Sequence, residues 1–296
     1  MQDIVIPIKN VIFEIAVHDA PIYVLCMTTH RALRYDLLCR MSTNNPLCQR
    51  PHNPVRRTVL ITGAAQRIGR VIARTLATAG WSVGVHAHSS HEAAEVFCAE
   101  LQSEGYCAWS VTGDLLAKNG AETLFNAAVA SGGPLDALVN NAAQFTRQPL
   151  METSAADFEQ HWQLNALAPI QLTQCLAQHL RARQQTGCVI NLLDQRIASP
   201  CKGAIPYLLS KKALEAFTLS AALELAPLLR VNAVAPGAVL PPTDPRGHEP
   251  AGRIPLDCLP AAEHIAEAVN YLLQATSVTG QILFVDGGQH LTCESL

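Results

Sequence analysis

From residue 57 onward, short runs of β-branched and aliphatic residues alternate with longer amphipathic stretches. This alternation restricts the fold more than any other property of the chain. The runs are "TVLITG", "SVGVHAH", "AWSVTGD", "ALVNNAA", "CVINLLD", "RVNAVAPG" and "ILFVDGG". Segments such as "RIGRVIARTLATAG" and "HEAAEVFCAELQSEG" lie between them. A strand that is apolar along its whole length is buried on both faces, as in a parallel sheet covered by helices. Strand–helix repetition joins such strands by right-handed crossovers. The pattern predicts an α/β chain with a doubly wound Rossmann fold, a seven-stranded parallel sheet flanked by helices.

Composition narrows the function. With 49% apolar residues over 296 positions, a large core is available. The 21 Lys and Arg nearly balance the 24 Asp and Glu, giving a net charge of -3, so no basic footprint for nucleic acid is expected. The ten cysteines (Cys26, Cys39, Cys48, Cys98, Cys107, Cys175, Cys188, Cys201, Cys258 and Cys293) form no Cys-x-x-Cys pair and no zinc-ligand spacing with His. They read as reduced thiols of a cytoplasmic protein, with no metal site.

Residues 1–56 read as an N-terminal extension and residues 57–296 as one Rossmann-fold domain. The extension shows no clear period. "VIFEIAVHDAPIYVLCMTTH" is interrupted by Glu14, His18, Asp19 and Pro21, too often to span a bilayer, and the chain's start lacks the order of a signal peptide. Met41 opens a polar segment leading into the first strand. Residues 1–56 are therefore expected to be poorly ordered or to reflect a misassigned start, with residues 1–40 the upstream extension in the latter case. A native peptide from residues 11–31, found by mass spectrometry, overturns this. Residues 240–260 are rich in Pro and Gly and follow the sixth strand, so they predict a loop at the ligand-binding edge of the sheet.

"LITGAAQRIGR" sits where a strand passes into a helix. There Gly63 permits a tight turn and Gly69 a close helix approach, leaving backbone N–H groups to meet a pyrophosphate. The second strand ends in "VGVHAHSS", about twenty residues further on, where an NAD-binding chain usually carries an acid. His86, His88, Ser89 and Ser90 stand there instead, and Arg67 occupies the glycine loop. Imidazoles, hydroxyls and a guanidinium accept a 2′-phosphate, so NADP(H) is expected over NAD(H). Asp114 ends the third strand as a partner for the adenine edge or as a plain turn-former. In "NNAAQF", Asn140 and Asn141 are expected to brace the loops around the dinucleotide, and Phe145 is core, lid or a stacking surface.

Tyr207 and Lys211 are four apart on a helix and share a face. An ammonium beside a phenol favours its ionised form, making Tyr207 a usable proton donor near neutral pH. Asn165, in "WQLNALAP", is expected on a long neighbouring helix, its side-chain amide holding a water for proton relay. Asp194 ends the strand "CVINLLD". It is read either as a second proton-handling group beside Tyr207, the two titrating as a pair, or as a strand-end cap bonded to Arg196.

Together, "TGAAQRIG", "NNAA", Asn165, "YLLSK" and "VNAVAPG" resemble the short-chain dehydrogenase/reductase family over roughly residues 57–291. Within it, Arg67, "HAHSS" and Asp194 are most similar to pteridine reductases and bacterial dihydromonapterin reductases. The resemblance implies a homotetramer using NADPH, with Tyr207 donating a proton and Lys211 assisting. It implies that Arg67, His88 and Ser90 meet the 2′-phosphate. It places Ile68, Ala142, Pro236 and Gly237 at the cofactor, lets Phe145 stack a pterin, and has Asp194 act with Tyr207. Two positions depart: Ser89 stands where those reductases often have Arg, and Ala143 where they have Ser.

Three functions remain in competition. Reduction of C=N needs a hydride at carbon and a proton at nitrogen, and a carboxyl with a phenol provides two proton-handling groups for a flat heterocycle. That favours an NADPH-dependent reductase of a dihydropterin or dihydrofolate-like ring. A carbonyl reductase acting on a sugar, ketoacyl thioester or small ketone would suit Ser or Thr at 194. A non-catalytic NADP-binding sensor would tolerate damage at Asn165, Tyr207 or Lys211, all of which are intact.

Overall fold

A computed structural model describes residues 12–17, 20–25, 57–198, 202–239 and 254–292. The chain divides into two units, Met1–Val55 and Arg56–Leu296. In the first, β1 (Ile12–Val17) pairs antiparallel with β2 (Ala20–Leu25), Ile12 opposite Leu25. These strands are built from a stretch in which the sequence shows no clear period. Most of residues 1–40, and residues 240–253 of the Pro/Gly-rich segment, lie outside the described residues.

The second unit holds all seven expected strands. They are β3 (Thr58–Ile61), β4 (Ser82–Ala87), β5 (Ala108–Thr112), β6 (Ala137–Asn140), β7 (Gly187–Leu192), β8 (Leu229–Pro236) and β9 (Ile282–Val285). All pair parallel, in the order β5-β4-β3-β6-β7-β8-β9. The helices are α1 (Arg67–Thr78), α2 (His91–Ser103), α3 (Gly120–Gly132), α4 (Ala155–Trp162), α5 (Ala168–Arg183), α6 (Ile205–Glu224) and α7 (Ala262–Gln274).

Strand alternation sorts the core into two layers. Val59 and Ile61 of β3 face a layer with Ile72 and Leu76 of α1, Phe97 and Leu101 of α2, and Ile265 and Val269 of α7. Leu60, between them, faces the opposite layer with Leu124 of α3, Leu172 and Leu176 of α5, and Ala221 of α6. Leu60, Ile61, Phe97 and Leu172 are fully buried, so each large side chain contributes roughly 1.5–3 kcal/mol by leaving water. Between β3 and β6 the winding reverses direction. That reversal opens a crevice at the carboxyl ends of the central strands.

Candidate active site

The crevice is a cleft of about 400 Å³. Its floor is the β3–α1 turn, where Gly63 adopts φ +63° and a Cβ would meet the Ala142 Cα at 3.1 Å. A Cβ on Gly69 would overlap the Gly63 carbonyl oxygen, so α1 reaches this turn only with glycine there. Arg67, the first residue of α1, has φ 54°, a left-handed conformation glycine would adopt without strain. Ile68, Asn141, Ala142, Ala143, His88, Ser89, Ser90 and Asp114 also line the cleft.

Hydrogen bonds set this turn. Asn141 Nδ2 donates to the carbonyls of Thr62 and Gly63, at 2.8 and 3.0 Å. The Thr62 hydroxyl oxygen accepts the backbone N–H groups of Asn141 and Ala142, each at 2.9 Å. Thr62 went unnoticed in the sequence; its signal is a hydroxyl directly before Gly63 at a strand end.

Two expectations change here. His86 lines the cleft as expected but is buried, takes the Gly63 N–H on Nδ1 at 3.2 Å and donates from Nε2 to the Gly113 carbonyl, 3.1 Å away. Both ring nitrogens are used within the fold, so His86 braces the glycine turn and has none left for a phosphate. Burial pushes its pKa down and keeps it neutral. Asn140 faces away from the cofactor turn: its Nδ2 donates to Asn191 Oδ1 on β7 at 2.8 Å, and Asn191 Nδ2 donates to Thr218 Oγ1 on α6 at 2.9 Å. Asn140 therefore ties the sheet to the helix carrying Tyr207. At Asp114 the turn-former prevails in part, since Oδ1 accepts the Leu116 N–H at 2.8 Å while the residue still lines the cleft. His88 Nδ1 lies 3.8 Å from the same oxygen.

At the next strands stands a second cluster. The Tyr207 hydroxyl donates to Asp194 Oδ2 at 2.8 Å. The Arg196 backbone N–H donates to Asp194 Oδ1 at 2.8 Å, and Nη1 lies 3.1 Å from Oδ2. Asp194 thus contacts the partner named in each reading: it bonds the phenol and pairs with Arg196. Phe145 sets its ring edge-to-face with Tyr207, centroids 4.8 Å apart, and the Arg196 guanidinium lies 5.3 Å from the Phe145 centroid.

Lys211 is buried, donates from Nζ to the Leu192 carbonyl at 2.6 Å and lies 5.8 Å from the Tyr207 ring centroid. Burial lowers its pKa to about 8, with the Asp194 charge pulling the other way.

Asn165 sits in a π-helical turn, Gln163–Leu167, within the unbroken helical run from α4 into α5. Its Oδ1 accepts the Gln144 N–H at 2.8 Å, and Nδ2 donates to the Gln144 carbonyl at 2.9 Å and to Ser210 Oγ at 3.1 Å. Both amide hydrogens are committed, so the side chain fixes the segment between the cleft and Phe145. Ser210, which also donates to the Tyr207 carbonyl at 2.7 Å, was missed; its signal is a hydroxyl three residues after Tyr207, on the lysine's side.

Pro236 ends β8, and the Gly237 N–H bonds the Val285 carbonyl at 3.0 Å. A Cβ on Gly237 would meet the Asp286 Cβ at 2.8 Å, so its smallness serves the approach of the segment after β9. Neither residue is among those lining the cleft.

Known proteins resemble this arrangement. A family model described as short chain dehydrogenase matches residues 57–250. Pteridine reductase 1 of Leishmania tarentolae is 33% identical over 287 residues, covering 81% of this chain and 98% of that protein. The L-xylulose reductase of Homo sapiens is 32% identical, covering 78% of this chain and 96% of that one. A crystal structure of FolM alternative dihydrofolate reductase 1 from Brucella canis, complexed with NADP, superposes with a TM-score of 0.74 at 34% identity, over 81% of this chain and 96% of that one. With a family match over residues 57–250, which hold the Tyr207 cluster, and a relative 33% identical over 81% of this chain, the chain belongs to the short-chain dehydrogenase/reductase family.

Proposed function

We propose that the protein is an NADP(H)-dependent reductase of a pterin, a dihydropterin or dihydrofolate-like ring. The observation that carries the proposal is the 2.8 Å hydrogen bond from the Tyr207 hydroxyl to Asp194. A carboxylate bonded to the proton-donating phenol suits a substrate whose nitrogen must be protonated. The likeness to a pteridine reductase and to an alternative dihydrofolate reductase supports it.

The cleft fits a dinucleotide. Gly63 and Gly69 let the β3–α1 turn close tightly against Asn141 and Ala142, forming the floor of the cleft. The end of β4 carries no acid to repel a 2′-phosphate, and Arg67, His88, Ser89 and Ser90 line the cleft there. Asn141 and Ala142 close its inner wall. When bound, NADPH supplies the hydride. Tyr207 delivers the proton to the ring nitrogen, Lys211 holds a positive charge beside the phenol and Asp194 orients the hydroxyl. Phe145 offers a ring against which a flat heterocycle stacks. The assembly proposed is a cytoplasmic homotetramer.

The second reading, a carbonyl reductase, is favoured by the likeness to L-xylulose reductase. Loss of NADPH absorbance, followed with dihydrobiopterin, dihydromonapterin, dihydrofolate and a panel of ketones and sugars, decides between them. Turnover of a pterin is expected; turnover of carbonyls alone overturns the proposal. Asp194→Ser is expected to lower pterin turnover on the order of 100-fold with NADPH binding near normal. An unchanged rate removes the role given to Asp194.

A further inference from the structure

Asp194 is enclosed by donors from its own chain. Its Oδ1 accepts the Arg196 backbone N–H at 2.8 Å and lies 3.4 Å from Arg196 Nη1. Its Oδ2 lies 3.1 Å from the same Nη1 and accepts the Tyr207 hydroxyl at 2.8 Å. An ionised carboxyl has about four acceptor positions, and among the described residues four contacts meet it, three of them from Arg196. The carboxylate's orientation is thus dictated by Arg196, and its single contact toward the chemistry is Tyr207.

Arg196 is itself held. It belongs to a short 3-10 turn, Gln195–Ala198, whose Ile197 N–H bonds the Asp194 carbonyl at 3.1 Å. Lys212 Nζ on α6 donates to the Ile197 carbonyl at 2.7 Å, and Ile197 and Gln195 are buried. The turn is therefore tied to the helix carrying Tyr207. The guanidinium meanwhile lies over Phe145, which meets the Tyr207 ring. Asp194, Tyr207, Phe145 and Arg196 form a closed ring of contacts. Arg196 and Tyr207 each touch both the carboxylate and the stacking ring, so Arg196 backs the two groups that Tyr207 meets.

We infer that Arg196 is a positioning residue of this active site, acting through Asp194 to aim the Tyr207 hydroxyl and through Phe145 to fix the stacking surface. This rests on the proposed reductase chemistry at Tyr207, but not on the substrate being a pterin. A planar guanidinium can bond the carboxylate through Nη1 while its plane covers the aromatic face; an ammonium is a compact point charge less suited to both at once.

A double-mutant cycle tests it, run on whichever substrate, pterin or carbonyl, the unaltered protein turns over. Arg196→Met keeps the length of the side chain and removes the fork. It is expected to lower kcat about tenfold or more, with NADPH binding, read from cofactor fluorescence, unchanged. Arg196→Lys is expected to recover part of the loss. In an Asp194→Asn background, Arg196→Met should cost clearly less than it does alone, because the carboxylate it orients is already impaired and only the route through Phe145 remains. Equal losses in both backgrounds overturn the inference, as does an Arg196→Met protein of unaltered kcat. A protein active only on carbonyls defeats the pterin reading and leaves the cycle measurable. If Arg196→Met fails to bind NADPH, Arg196→Lys carries the cycle on the same two criteria.

Discussion

At Lys211 two forces oppose each other. Burial disfavours the ammonium, and the charge of Asp194 favours it; burial is the larger, leaving the pKa at about 8. The protonated form is the one that stabilises charge on the phenol. Reductive kcat/KM is therefore expected to fall as pH rises through about 8, far below the range of an exposed lysine. Asp194→Asn removes the opposing charge, so the alkaline limb of the pH–rate profile should move to lower pH; an unmoved limb separates the two residues. Tyr207, Lys211 and Asp194 were legible in the sequence because spacing on a helix and position at a strand end are one-dimensional facts. The duties of His86 and Asn140 were not. Each stands at the end of a strand, where the neighbouring residue points the opposite way. Which one meets the cleft depends on the pleat, not on the residue type.

Helix α5 is fastened to the start of β6 by a bracket. The Leu135 N–H donates to His179 Nε2 at 3.2 Å, Arg183 Nη1 donates to the Leu135 carbonyl at 2.7 Å, and Arg183 Nη2 pairs with Asp136 at 3.1 Å. Asp136 in turn accepts the Thr58 N–H at the start of β3, at 2.9 Å. The pKa of His179 is lowered by burial first and by Arg183 second, against a smaller pull from Asp136. His86 is lowered by burial as well. Below about pH 6.5 the unfolded chain binds protons that these folded imidazoles refuse. Their contribution is fully present above that pH and is lost as pH falls toward the depressed folded values. The melting temperature is expected to drop between about pH 7 and 5, and less steeply in His179→Gln, whose amide oxygen still accepts the Leu135 N–H. An equal slope in that variant dismisses the bracket. Elements were legible where the period was long: all seven strands of the parallel sheet follow from their apolar runs. The π turn at Gln163–Leu167 did not, because one added residue barely disturbs helical spacing. Nor did β1 and β2, whose alternation is broken by polar residues.

Seen as a whole, unit Arg56–Leu296 contains both the sheet and the Tyr207 cluster. Helix α6 carries Tyr207 and Lys211, yet leaves Leu219 47% and Leu223 85% exposed, and Trp162 at the end of α4 is 47% exposed. Apolar side chains bared on the helices of the active site suit burial against further copies of the chain. Native mass spectrometry is expected to return four chains, and Leu223→Glu a smaller species; a monomer in both overturns the homotetramer. Most positions facing the core from β6 and β7 are Val, Leu, Ile or Ala, so side-chain size alone distinguishes one alignment of these two strands from another only weakly. Asn140 and Asn191 distinguish them. They stand directly opposite in β6 and β7, both buried. A two-residue slip would keep every side chain on its face but set Asn140 against Val189, stranding an amide in hydrocarbon. The same pair that ties the sheet to α6 is thus a proofreading mark for assembly, rejecting misaligned sheets before Tyr207 and Asp194 could be brought together wrongly.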